Sequence, residues 1–132
     1  MNLIEYIKGK VLYDLAENKI VVFVGDEKTG VGYGVLCPYG YHYNSGDIAD
    51  LQIVHIITEK SQALYGFKIG REKHLFKMLI SVDRVGPGLA LRIVSNVDVT
   101  AKEFNIEAIK KVKGVGDKMY KNIKEYFIKH HT

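Results

Sequence analysis

Val82-Asp83-Arg84-Val85-Gly86-Pro87-Gly88-Leu89 is followed, 30 residues on, by Val112-Lys113-Gly114-Val115-Gly116-Asp117-Lys118-Met119, and the pairing of these two stretches decides how the chain reads. The repeat extends outward on both sides, since Leu79 and Ile93 of the first copy recur as Ile109 and Ile123 of the second. In each copy an apolar stripe at helical spacing runs into the turn and another leaves it. These stripes are Leu75 to Val82 and Leu89 to Val94 in the first copy, then Ile106 to Val112 and Met119 to Phe127 in the second. The pattern predicts helix, tight turn, helix, twice over. Glycine in such a turn admits positive φ and leaves no Cβ in the way of an approaching group. Successive N–H groups at the positive end of the second helix then make a site for a phosphate oxygen. A helix-hairpin-helix pair of this kind would address the nucleic-acid backbone rather than base sequence. The plain alternative is that Gly-x-Gly only ends one helix and starts the next, as glycine commonly does.

Charge is placed in keeping with a polyanionic partner. The chain has 132 residues, enough for one or two small domains, with 19 Lys and Arg against 15 Asp and Glu. Its net charge is +4 and its pI about 9.0, a mild bias that many ordinary soluble proteins share. Beyond residue 100 the basic residues are all lysines, and Lys113, Lys118 and Lys121 surround the second hairpin. Arg84, with Arg92 further along the helix, supplies charge near the first. Arg84 stands where the second copy has Gly114, so the first turn either dispenses with that glycine or holds Arg84 in a strained conformation. Gly88 stands where the second copy has Lys118, and the first hairpin is expected to act chiefly through its backbone. The candidate DNA-binding set is therefore Arg84, Val85, Gly86, Gly88, Arg92, Lys113, Gly114, Val115, Gly116, Lys118 and Lys121.

Ahead of residue 70 the signals are those of strands. Apolar and β-favouring residues alternate or cluster over Ile4 to Leu15, Ile20 to Val24, Val31 to Cys37, Leu51 to Thr58 and Ala63 to Ile69. Turn residues fall at Glu17-Asn18, Gly25-Asp26, Ser45-Gly46-Asp47 and Lys60-Ser61. Five or more short strands with such turns suggest a small antiparallel barrel of OB type, because closure removes exposed sheet edges. The expected architecture is β then α: an OB-type antiparallel barrel over 1–66, followed by an all-α tandem helix-hairpin-helix domain over 67–132. No Pro- or Ser-rich linker separates the halves, so they are expected to pack together. Thr100 is the expected N-cap of a helix, with Glu103 completing a capping box. Tyr39, Tyr41 and Tyr43 lie in a loop between strands, where they either stack single-stranded bases or pack.

Other chemistry finds no carrier in the sequence. Gly25 and Gly30 have the spacing of a phosphate-loop pair, but Val31 and Gly32 occupy the Lys and Ser/Thr positions. No nucleophile elbow, His-Glu-x-x-His or clustered carboxylate set is present, so no catalytic residue, metal site or cofactor is expected. Cys37 is the single cysteine, reads as a small buried residue, and excludes a disulfide framework. No window approaches the ~18 apolar residues of a membrane span, and a cytoplasmic protein without a membrane partner is expected.

Several motifs also occur in the order found in one family. Gly30-Val31-Gly32-Tyr33-Gly34-Val35, Leu64-Tyr65-Gly66-Phe67, Leu75-Phe76-Lys77-Met78-Leu79-Ile80, Val85-Gly86-Pro87-Gly88-Leu89-Ala90-Leu91 and Lys113-Gly114-Val115-Gly116-Asp117-Lys118 together make the chain, up to about Phe127, resemble the RuvA family. That resemblance implies an OB-type barrel, a tandem helix-hairpin-helix domain and a small C-terminal domain engaging the RuvB motor. It implies a scaffold subunit, not an enzyme, that binds four-way Holliday junctions by structure and not by sequence, in recombination and repair. It also implies a homotetramer, or an octamer of two tetramers, and the RuvC resolvase as a further partner. A pair of acids that faces the junction crossover in the family aligns with Glu59-Lys60, where one acid has become a base. Asn122 and Asp117 stand where the family tends to be basic. With the chain ending at Thr132, junction binding without motor-driven migration is expected. The alternatives are a general single-strand-binding OB module and a DNA-repair adaptor.

Overall fold

A computed structural model of the chain describes residues 3–16, 18–100 and 105–130. Five strands come first: β1 (Tyr6–Ala16), β2 (Lys19–Gly25), β3 (Gly30–Leu36), β4 (Ile48–Ile57) and β5 (Gln62–Phe67). Four helices follow: α1 (Gly70–Ile80), α2 (Pro87–Asn96), α3 (Glu107–Lys110) and α4 (Asp117–His130). The chain divides into two compact units, residues 1–73 and 74–132, and the division falls inside α1.

The first unit is a closed barrel in the order β1-β2-β3-β5-β4, with β4 returning to β1. This is the OB-type barrel expected from the strand pattern, with one correction. The pairs β1–β2, β2–β3, β4–β5 and β1–β4 are antiparallel, whereas β3 and β5 run parallel through Val35–Leu64 and Leu36–Tyr65. The parallel pair arises because the long 37–47 connection carries the chain across the barrel before β4 and β5 form their hairpin. Alternation along the strands turns Ile7, Val11, Ile20, Val22, Val35, Ala49, Leu51 and Ile53 into one core, with Cys37 beside them. Each valine, leucine or isoleucine among them, fully buried, favours folding by about 1.5–3 kcal/mol. Gly66 lies inside the barrel, where a Cβ would come within 2.6 Å of Val35 Cγ1. Two register shifts in β1–β2, between Val11 and Tyr13 and between Asp14 and Ala16, bend the strands around the barrel.

Local hydrogen bonds close the turns. Gly25 and Gly30 face each other at the end of β2 and β3, and Asp26 Oδ1 accepts from the N–H groups of Lys28 (2.8 Å) and Thr29 (2.9 Å). These bonds hold the Asp26 carboxyl below the usual carboxylate range, Thr29 contributing most. The glycine pair is thus part of a hairpin. Within the 37–47 connection, Tyr41 donates its hydroxyl hydrogen to buried Glu72 of α1, and the Lys68 N–H donates to the same hydroxyl at 2.7 Å. The Lys68 ammonium lies 4.7 Å from the Tyr41 ring centre and 4.9 Å from that of Tyr43. Both rings are half-buried against the barrel, and of the three loop tyrosines only Tyr39 is exposed.

In the second unit the five repeated apolar positions explain themselves as packing. Leu79, Val82, Val85 and Ile93 of the first copy are buried, as are Ile109, Val112 and Ile123 of the second, while Leu89, Val115 and Met119 are partly so. Where a helix was expected to start, Val99 and Thr100 form a turn in which Asp98 Oδ1 accepts from the Thr100 N–H (2.9 Å) and hydroxyl (2.6 Å), and residues 101–104, which the expected helix would occupy, lie outside the described residues. Glu103, and Glu17 of the first expected turn, lie outside the described residues.

Candidate nucleic-acid interface

The two turns have one backbone design. In the first, the Val85 N–H donates to the Val82 carbonyl at 3.1 Å and the Ala90 N–H to the Gly86 carbonyl at 3.0 Å. In the second, Val115 donates to Val112 at 3.1 Å and Tyr120 to Gly116 at 2.9 Å. The residue before each valine is left-handed, Gly114 at φ +102° and Arg84 at φ +70°. Arg84 is the one non-glycine residue with positive φ among those described, at a cost of about 1–2 kcal/mol relative to glycine. The sequence left open whether the first turn dispensed with the glycine or strained Arg84, and the backbone takes the strained course.

The bonds decide which main-chain groups remain to be offered outward. The Val85 and Val115 N–H groups are spent within their own turns, so they are not the donors that the Gly-x-Gly spacing suggested. Pro87 has no N–H. At the first turn the outward donors are Gly86, Gly88 and Leu89, ahead of the first i→i−4 bond of α2 and with no side-chain cap. At the second they are Gly116, Asp117, Lys118 and Met119, a run unbroken by proline.

Gly86, Gly88 and Gly116 are exposed, and a Cβ built on any of them would meet nothing within 4 Å. Gly86 is extended at φ −86°, ψ 171°, and Gly116 also has negative φ. Neither packing nor backbone conformation therefore requires glycine at these three positions. Gly114 is different, needing its positive φ and lying under the Arg92 and Leu89 side chains.

Lys113, Lys118 and Lys121 are exposed around the second turn, with Asp117 in the first turn of α4. The first turn of α2 carries no acid, and exposed Arg84 lies three residues ahead of it. Arg92, expected to serve the first hairpin, instead donates through Nη1 to the Lys113 carbonyl of the second at 3.2 Å. Helical periodicity placed Arg92 on α2, and the sequence held no signal for the fold-back of the second turn onto that helix. Glu59 and Lys60 are exposed central residues of the β4–β5 turn, which Thr58 and Ser61 close through bonds of 2.8 to 3.1 Å. They belong to the barrel unit.

Among the described residues no three His, Cys, Asp or Glu side chains converge to hold a metal ion. No described helix is long and apolar enough to cross a membrane. Burial pushes the Cys37 thiol up to about 12, leaving it protonated near neutral pH.

Residues 3–66 match the family described as the RuvA N terminal domain. The protein named Holliday junction branch migration complex subunit RuvA from Exiguobacterium sp. (strain ATCC BAA-1283 / AT1b) is 36% identical over 127 residues, covering 92% of this chain and 63% of that protein. Those of the same name from Halothermothrix orenii and Proteus mirabilis are 40% identical over 108 residues and 37% over 118, covering 81% and 83% of this chain and 52% and 57% of those proteins. The chain belongs to the RuvA family. It spans 63% or less of the length of these three RuvA relatives. The RuvA match over 3–66 ends inside β5, and the longer alignments continue into the helical unit that holds both turns.

Proposed function

We propose that this chain binds four-way DNA junctions through their sugar-phosphate backbone and serves as the scaffold subunit of a branch-migration complex. The observation that carries the reading is the pair of exposed glycines, Gly86 and Gly116, at equivalent points of two like turns, where neither packing nor a positive φ calls for glycine. A ligand that approaches the main chain from outside supplies the reason. Phosphate oxygens would accept from the N–H groups of Gly86 and Gly88 at one turn and of Gly116 to Lys118 at the other, at the positive ends of α2 and α4. Arg84, Lys113, Lys118 and Lys121 would add charge without reading bases, giving binding selective for shape and indifferent to sequence.

Residues 1–66 would form the barrel domain and 67–132 the domain that grips the arms. A homotetramer would present one pair of turns to each of four arms, and two tetramers would enclose the junction as an octamer. Glu59 and Lys60 would stand near the crossover, where a neutral pair repels phosphate less than two acids would. The scaffold would act in the cytoplasm without catalysis of its own, cofactor or metal. Any motor activity would belong to RuvB and strand cleavage to the RuvC resolvase. The alternative of base stacking by the 39–43 loop loses support, because Tyr41 and Tyr43 are occupied with Lys68 and the barrel.

Anisotropy titrations of labelled four-way junction, duplex and single strand at one salt concentration, run with a mass measurement of the free protein, test the reading. Tighter binding to junction than to duplex, and weakest binding to single strand, is the expected order. Preference for single strand, or affinity that does not depend on salt, would overturn it.

A further inference from the structure

The second turn rests on one face of α2. Leu89 and Arg92 are three residues apart on that helix and so project side by side. A Cβ on Gly114 would come within 3.3 Å of Leu89 Cδ1 and 3.1 Å of Arg92 Nη1, so these side chains lie directly against the turn. The guanidinium donates to the Lys113 carbonyl at 3.2 Å, one residue ahead of the left-handed Gly114. That carbonyl lies just past α3, where no intrahelical partner is available to it. Among the described residues the bridge has no reciprocal. The 30-residue repeat puts Asn122 of α4 opposite Arg92, too short a side chain to reach as far and without a charge. One repeat thus braces the other in one direction only.

The geometry points to Arg92 as a positioning residue, which fixes the second hairpin on α2 instead of contacting DNA itself. This rests on the proposed reading that both turns hold phosphates. A carbonyl that accepts from a cation is drawn toward it, and the N–H groups that follow along the same turn are then held at a set angle to α2, whose own N-terminus carries the first site. Arg92 thereby couples the spacing of the two sites, and both can engage one backbone without an ordering cost at the moment of binding. A guanidinium suits this because its planar fork can hold a carbonyl with a directed N–H, which the point charge of lysine does less well.

Two measurements test the inference, one of them without DNA. In the free protein, amide hydrogen exchange of Val115 reports the second turn and that of Val85 the first, since each donates the matching 3.1 Å bond. Arg92→Ala should speed exchange at Val115 by roughly tenfold and leave Val85 unchanged. Arg92→Lys should restore little of the protection. Equal acceleration at both amides would mean general destabilisation, and no acceleration at Val115 would mean no bracing; either overturns the proposal. With four-way junction, Arg92→Ala should weaken binding by roughly tenfold in the parent and in a Gly86→Ala background. In a Gly116→Ala background it should weaken binding hardly further, because both changes act through the second turn. A loss that adds fully to Gly116→Ala, with junction affinity retained in Arg92→Lys, would show a direct phosphate contact and refute the positioning role. If Gly86→Ala and Gly116→Ala themselves leave junction binding unchanged, the reading of the turns as phosphate sites fails, while the exchange result still judges the brace.

Discussion

Replacing Gly86 or Gly116 by alanine separates the fold from its proposed function. Each change adds one methyl at an exposed site where nothing lies within 4 Å, in a backbone conformation that alanine adopts freely. Two small effects on stability oppose one another. Alanine narrows the unfolded ensemble, worth about 0.4–1 kcal/mol in favour of folding. Both glycines also precede the first i→i−4 bond of a helix, where alanine caps less well by a similar amount. The net change in unfolding free energy should therefore be within about 0.5 kcal/mol, measured by urea denaturation. Binding has no such compensation. A methyl in the path of the phosphate displaces a hydrogen bond to a charged acceptor, worth about 1.5–3 kcal/mol, or about 10- to 100-fold in Kd. Fluorescence anisotropy with junction and duplex at fixed salt should show that loss for both DNAs, because both present the same backbone. Variants as stable as the parent that also bind as tightly would refute the assignment of these turns to phosphate.

Other expected outcomes concern charge, strain and burial. Changing Lys113, Lys118 and Lys121 to glutamine should flatten the dependence of log Kd on log salt by about 0.9 for each lysine that meets a phosphate; an unchanged slope would remove that lysine from the interface. The left-handed position should respond with opposite sign in the two turns. Gly114→Ala should cost about 1–2 kcal/mol in urea denaturation, whereas Arg84→Gly relieves a similar strain against a glycine entropy cost of about 0.5–1 kcal/mol and should not destabilise. Cys37, with its thiol pushed up to about 12 by burial, should not react with an aromatic disulfide reagent at pH 8 in the native protein and should react fully on unfolding. Rapid native labelling would contradict the packing of the barrel core.

The sequence alone determined the elements. Period-two and period-3.6 patterns are local properties of the chain, so the five strands, the helices and the 30-residue repeat could be read before any coordinates. The repeat also marked Arg84 as the odd member of its pair, since glycine at the matching position signals a left-handed turn. Tertiary structure decided what pattern cannot encode. The parallel β3–β5 pairing depends on which edges meet when the barrel closes. Tyr41 and Tyr43, equal candidates for stacking in the sequence, face Lys68, and Tyr41 also bonds Glu72, because the long connection folds back on the barrel. The spending of the Val85 and Val115 amides, and the reach of Arg92 to Lys113, are set by contacts between segments distant from or bent back on one another. Periodicity tells which face of an element is apolar; only closure in space tells which polar groups have already found partners, and so which are left to meet a ligand.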